Sequence, residues 1–122
     1  MKPGRNGLNK KLSLPELRKN ARIALRIEYE LTLNNQQYTG DTGDISLGGA
    51  SLISSTPPLN TNQALETGQI SLTLGQKNLS MECIVVYVGN SNIPGFSKTG
   101  ITFKNMNEDD RNKLLRFMVQ HL

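Results

Sequence analysis

The chain has 122 residues, of which 36% are apolar, and carries a net charge of +4. That length supports a single hydrophobic core, and the modest apolar share suits a thin two-layer or barrel-like one. The charge favours an anionic partner but lies far below that of a dedicated nucleic-acid binder, so neither DNA nor RNA is expected.

Residues 1–16 mix Lys, Asn, Gly and Pro with scattered leucines, show no period, and read as a mobile N-terminal arm ahead of a domain spanning 17–122. Ile27, Tyr29, Leu31 and Leu33 then alternate with Glu28, Glu30 and Thr32, the period of a half-buried strand. Asn34–Gln37 is a polar turn, and a second strand runs from Tyr38 to Ile45. After Gly48-Gly49, residues 50–53 form a short third strand, ended by Thr56-Pro57-Pro58 because proline donates nothing to a ladder. Ile70, Leu72 and Leu74 alternate again, Gly75–Asn78 turns the chain, and a strand follows over 79–88. A loop rich in Gly and Asn leads to a sixth strand over 96–103. Six short strands joined by turns indicate an antiparallel barrel or sandwich.

The period then changes. Asn107 is a good N-cap with Glu108, Asp109 and Asp110 in the first turn, and Leu115, Met118, Val119 and Leu122 recur at i, i+3, i+4 and i+7. A C-terminal helix with that stripe facing the strands is expected, widened by Leu114 and Phe117.

Cys83 is the sole cysteine and lies in the apolar run 83–88, so it reads as a small buried hydrophobe. That run falls far short of the roughly 20 residues of a membrane helix, and the N-terminus lacks the apolar segment of a signal peptide. A cytoplasmic chain without membrane insertion is expected, although a domain cut from a longer membrane protein reads the same way.

Two motifs carry chemistry. Arg18-Lys19-Asn20-Ala21-Arg22 is an R-x-x-x-R before the first alternating strand, and Asp44-Ile45-Ser46-Leu47-Gly48-Gly49 is a D-x-S-x-x-G at the end of the second. Arg22 precedes Asp44 by 22 positions, the length of one strand, a turn and a second strand. At ordinary residue usage D-x-S-x-x-G arises by chance about once per few thousand positions. The first motif alone is weak, since any basic stretch produces it. Asp44 and Ser46 can equally cap their own backbone as turn residues.

Together and in this order, the motifs resemble the signature of PilZ domains, receptors for the bacterial second messenger cyclic di-GMP. Thr99-Gly100-Ile101-Thr102-Phe103 followed by a helix is similar to the end of that domain. The resemblance implies a mostly β fold, a six-stranded antiparallel split β-barrel with the C-terminal α-helix packed on it. It also implies a ligand site of Arg18, Arg22, Asp44, Ser46 and Gly49, with Leu17, Asn20 and Gly48 as weaker candidates.

The ligand's chemistry suits these residues. A guanidinium forks onto guanine O6 and N7 or onto a phosphate. A carboxylate accepts from the guanine N1–H and N2–H₂ edge. In this reading Ser46 shares a strand face with Asp44, and Gly49 permits a positive φ or close approach. In the family, an arginine just before R-x-x-x-R goes with a stacked ligand pair; here Leu17 stands there, so one ligand per domain is expected. Arg26 reads as a surface charge.

No enzyme is expected. The one histidine, His121, sits at the chain's end, no nucleophile has a base partner, and no cluster has metal-ligand spacing. No cofactor beyond the ligand is implied. The expected function is a receptor that orders its arm on binding and changes a surface seen by an unidentified effector protein. Motility, pilus, chemotaxis and exopolysaccharide outputs all fit. The alternatives are a cytosolic regulatory domain of an alginate- or cellulose-type synthase subunit and a general oligonucleotide-binding barrel. The second would need strand aromatics on an outer face.

Overall fold

The computed structural model describes residues 14–18, 21–90 and 97–122. Period-two burial builds most of it. In β2 (Glu28–Leu33), Tyr29, Leu31 and Leu33 are buried while Glu28 and Glu30 remain in water, as the alternation predicts. A two-residue turn of Asn34 and Asn35, both left-handed at φ 49° and 66°, reverses the chain into β3 (Gln36–Ile45). Asparagine is among the few residues that tolerate two such angles in succession, which is what a tight hairpin requires. The strands that follow are β4 (Gly49–Leu52), β5 (Thr67–Leu74), β6 (Lys77–Asn90) and β7 (Ser97–Lys104). They are preceded by a two-residue β1 (Ile23–Ala24).

All pairings are antiparallel, in the order β3, β2, β5, β6, β7, β4, and β4 returns to β3 to close a ring of six. β1 extends the β2 edge of β3: β2 covers Gln36–Asp41 and β1 covers Asp44 and Ile45. Between them backbone bonds continue, Leu25 N donating to Gly43 O at 3.2 Å and Thr42 N to Ile27 O at 2.9 Å, and the Thr42 hydroxyl adds two more. Its Oγ1 accepts from Ile27 N at 2.9 Å and donates to Leu25 O at 2.7 Å. A fully buried threonine thereby ties β1 to β3 across the break.

The expected six-strand barrel and C-terminal helix are both present, with differences of extent. β5 begins at Thr67, three residues before its first buried alternating position, Ile70. The arm expected over 1–16 is cut short by a helix, α1 (Leu14–Arg18), and residues 1–13 lie outside the described residues. Leu17 in α1 is 0% exposed and joins the core. α1 packs against the C-terminal helix α2 (Glu108–Gln120).

α2 starts where expected, Asn107 Oδ1 accepting from Asp110 N at 2.8 Å. Its buried stripe is displaced from the expected one: Leu114, Leu115 and Met118 are buried, whereas Val119 and Leu122 are 42% and 44% exposed. At 3.6 residues per turn, 114, 115 and 118 share a face, and 119 turns away from it. Cys83 is fully buried in β6, and loss of hydration pushes its thiol up to about 11. No described helix is long and apolar enough to cross a membrane.

Candidate ligand site on β1, β3 and the β3–β4 turn

The hairpin of β2 and β3 brings the two motifs together. Ala24 is the register partner of Asp44, so Arg22, just before β1, projects beside the end of β3. Arg22 Nη1 donates to Asp44 Oδ1 at 2.6 Å, with the two side chains 51% and 35% exposed. A pair this open to water is held by geometry more than by energy; such pairs contribute at most about 1 kcal/mol. Four of the five guanidinium donors take no part in that bond and Asp44 keeps its second oxygen, so both residues retain capacity for a ligand.

Ser46 is placed differently from its expected role. It is 3% exposed, and its hydroxyl is committed to the turn between β3 and β4. Ser46 Oγ accepts from Gly48 N and Gly49 N, each at 3.1 Å, and donates to Gly49 O at 3.3 Å. One donor and two acceptors are the full capacity of a hydroxyl. The backbone closes the same turn, Ser46 N donating to Gly49 O at 2.8 Å. The turn-capping role open to Ser46 in the sequence is the one its contacts fill.

Gly49 is required for a reason other than a left-handed φ, which among the described glycines only Gly75 adopts. A Cβ at residue 49 would lie 2.1 Å from Ile101 O, so what approaches it is the backbone of β7. Gly48 joins the same seam, its carbonyl accepting from Phe103 N at 2.9 Å. Leu17 is buried and presents no face to a ligand. Arg18 closes α1; its side chain, like Asn20, lies outside the described residues. Arg26 is exposed, as a surface charge should be.

Two further features escape a reading of the sequence. Thr42 fixes the position of β1 and with it Arg22. Tyr87, inside an apolar run, faces outward because Val86 is an extra residue in β6: the register passes from Val85↔Ile101 to Tyr87↔Gly100. Tyr87 is 43% exposed, and its ring fills the space that a Cβ of Gly100 would need, with Cε2 at 2.2 Å from that point. Elsewhere, a depression of about 430 Å³ on β2, β3 and β5 is lined by Glu28, Glu30 and Asp41. Its carboxylates disfavour an anion, and Arg22 and Asp44 are not part of it.

No curated protein matches the chain. Among solved structures it is similar to the Bacillus subtilis inhibitor of motility MotI/DgrA, with a TM-score of 0.71 and 14% identity over 84% of this chain and 49% of that one. It is similar to the PilZ domain of CeSA from a cellulose-synthesising bacterium, with a TM-score of 0.63 and 21% identity over 83% and 97% of the two chains. It is also similar to MrkH from K. pneumonia in complex with cyclic di-GMP, with a TM-score of 0.63 and 20% identity over 84% and 52%. The chain thus spans about half the length of MotI/DgrA and MrkH, and at these identities the likeness is one of fold. The PilZ domain family model matches residues 16–120, which takes in both motifs, the closed barrel and all of α2; the chain belongs to the PilZ family of cyclic di-GMP receptors.

Proposed function

We propose that this chain binds one molecule of cyclic di-GMP per domain and acts as a receptor rather than an enzyme. The observation that carries the reading is the Arg22–Asp44 pair at 2.6 Å. It sets a two-pronged cationic donor beside an anionic acceptor at the rim of the barrel, and guanine has a complement for each. Its O6 and N7 accept from a guanidinium, while N1–H and N2–H₂ donate to a carboxylate. Arg18, four residues before Arg22, supplies a second guanidinium for a phosphate or base. Ser46 and Gly49 serve the site indirectly, by shaping the turn after Asp44. Leu17 offers no donor to a second ligand, which supports the single stoichiometry.

The same reading supplies a relay. Arg18 ends the helix that packs on α2, so a ligand drawing on Arg18 acts on α1 and on the residues before it. Ordering of that segment would change the surface met by a partner protein. Amide exchange over residues 5–20 should slow on ligand addition; equal exchange with and without ligand would rule the relay out.

Calorimetric titration of cyclic di-GMP tests the site itself. Arg22→Ala should weaken binding by at least about tenfold through loss of a charge-assisted bidentate contact. An unchanged affinity would remove Arg22 from the site.

A further inference from the structure

Arg22 stands just before β1, a strand of two residues, and the phase of β1 against β3 decides where its guanidinium falls. Ala24 is the register partner of Asp44, and Glu28 is that of Asp41. Four steps along β1 and β2 therefore face three along β3, so the first side holds one extra residue. Leu25 N bonds to Gly43 O and Thr42 N to Ile27 O, which leaves Arg26 as the insert, its side chain in water.

The insert decides a face. Directly paired residues of antiparallel strands point the same way, and so do residues two apart on one strand. Arg22, two before Ala24, therefore lies on the face of Asp44. Carried on unbroken, the register of β2 would set Leu25 opposite Asp44 instead. A slip of one residue sends every side chain to the other face, and Arg22 would point away from the carboxylate.

An insert also leaves peptide groups to satisfy, and one side chain takes those on both sides of Arg26. Thr42 Oγ1 donates to Leu25 O at 2.7 Å and accepts from Ile27 N at 2.9 Å. Thr42 is fully buried, so water is not at hand to replace the hydroxyl. β1 has few other supports: two register pairs to β3, its strand neighbour at the end of the sheet order, and the buried Ile23. α1 is anchored separately, by Leu17 in the core.

We infer that Thr42 is a positioning residue for ligand recognition: its hydroxyl holds the Arg26 insert closed and so keeps Arg22 in phase with Asp44. The inference rests on the cyclic di-GMP reading above and extends it to a buried side chain, outside both motifs, that touches no ligand. Valine has the shape of threonine but leaves Leu25 O and Ile27 N without their partner, so β1 loses its phase. Serine keeps the hydroxyl and with it the clasp. Because Thr42 acts through Arg22, removing the hydroxyl can cost no more affinity than removing the guanidinium, and costs nothing further once the guanidinium is gone.

The experiment is calorimetric titration of cyclic di-GMP into wild type, Thr42→Val, Thr42→Ser, Arg22→Ala and the Arg22→Ala, Thr42→Val double variant, joined to NMR of the arginine side chains without ligand. Thr42→Val should weaken binding by at least about threefold, Thr42→Ser by less than about twofold, and the double variant should bind within about twofold of Arg22→Ala. The Arg22 signal, identified by its loss in Arg22→Ala, should move in Thr42→Val and stay in place in Thr42→Ser. Should Thr42→Val fail to fold, Thr42→Cys takes its place, since a thiol is only a weak donor and acceptor. Wild-type affinity in the folded variant, a loss as large without Arg22 as with it, or a loss that serine does not restore overturns the positioning role and leaves the motif site standing. If wild type binds no cyclic di-GMP the ligand reading falls, and an Arg22 signal unmoved in Thr42→Val overturns the positioning role by itself.

Discussion

Arg22 and Asp44, 22 residues apart in sequence, meet at 2.6 Å because the residue two after Arg22 is the register partner of Asp44. The contact is a product of the hairpin between them and of the Thr42 hydroxyl that fastens β1 to β3. Position is what the pair supplies. Its bond is too exposed to contribute much to folding.

That separation of roles predicts the behaviour of Arg22→Ala in unfolding. Stability should change by less than about 1 kcal/mol, the ceiling for an exposed pair. Urea denaturation alongside the titration distinguishes lost contact from lost fold; a large drop in the midpoint would contradict the assignment.

Asp44→Asn keeps the shape and one acceptor oxygen but removes the charge. We expect cyclic di-GMP binding about tenfold weaker, from loss of one charge-assisted acceptor, in a domain of unchanged melting temperature. Equal affinity for wild type and Asp44→Asn would mean that the carboxylate does not read the ligand.

Ser46→Ala should act in the opposite way. The Gly48 and Gly49 amides lose their shared acceptor inside a turn whose Ser46 and Gly49 are buried. A cost of about 1–3 kcal/mol follows for buried groups left unpaired. Chemical denaturation reads it, and stability within error of wild type would show the hydroxyl to be dispensable in the turn.

Gly49→Ala forces a Cβ to within 2.1 Å of Ile101 O, and both strands at the closing seam would have to part. The cost should exceed about 2 kcal/mol. Gly89→Ala is the control: its Cβ would meet Lys98 O at an ordinary 3.5 Å, and its effect should be small. Equal effects of the two substitutions would refute the seam argument.

Stability should also decline in alkali. Burial raises Cys83 from 9.0 to about 11 and Tyr29 from 10.0 to about 12. Both groups hold their protons longer folded than unfolded, so the folded state binds more protons in that range. By linkage their contribution is full below about pH 9 and is lost as pH rises through about 11 for Cys83 and about 12 for Tyr29. Melting temperatures of wild type, Cys83→Ala and Tyr29→Phe across that range check it: each variant should lose less than wild type between its two values.

The barrel was legible because alternation of apolar and polar residues survives in β2, β5 and most of β6, and because Asn107 and the acids after it announce α2. The Arg22–Asp44 contact was legible for the same reason, as a hairpin converts sequence spacing into register. A period of two puts 44 and 46 on one face, but β3 ends at Ile45 and the period ends with it. α1 leaves no mark in the sequence because five residues hold too little of a helical period. Tyr87 escaped because the bulge at Val86 inverts the alternation after it, and nothing in a run of apolar residues marks where an extra one is inserted. Val119 and Leu122 fall off the expected stripe because the buried face of α2 is centred on 114, 115 and 118.

Leu17 and Arg18 are consecutive, and this gives α1 the character of a lever. The first is wholly sunk in the core and the second belongs to the R-x-x-x-R motif, on a helix that bears on α2. A force on Arg18 is opposed at once by the anchorage of Leu17, with almost no slack between them. On the proposed reading α2 becomes the fulcrum, so trimming or loading the last helix should alter how firmly the first arginine of the motif can be drawn toward Asp44, 26 residues further along the chain.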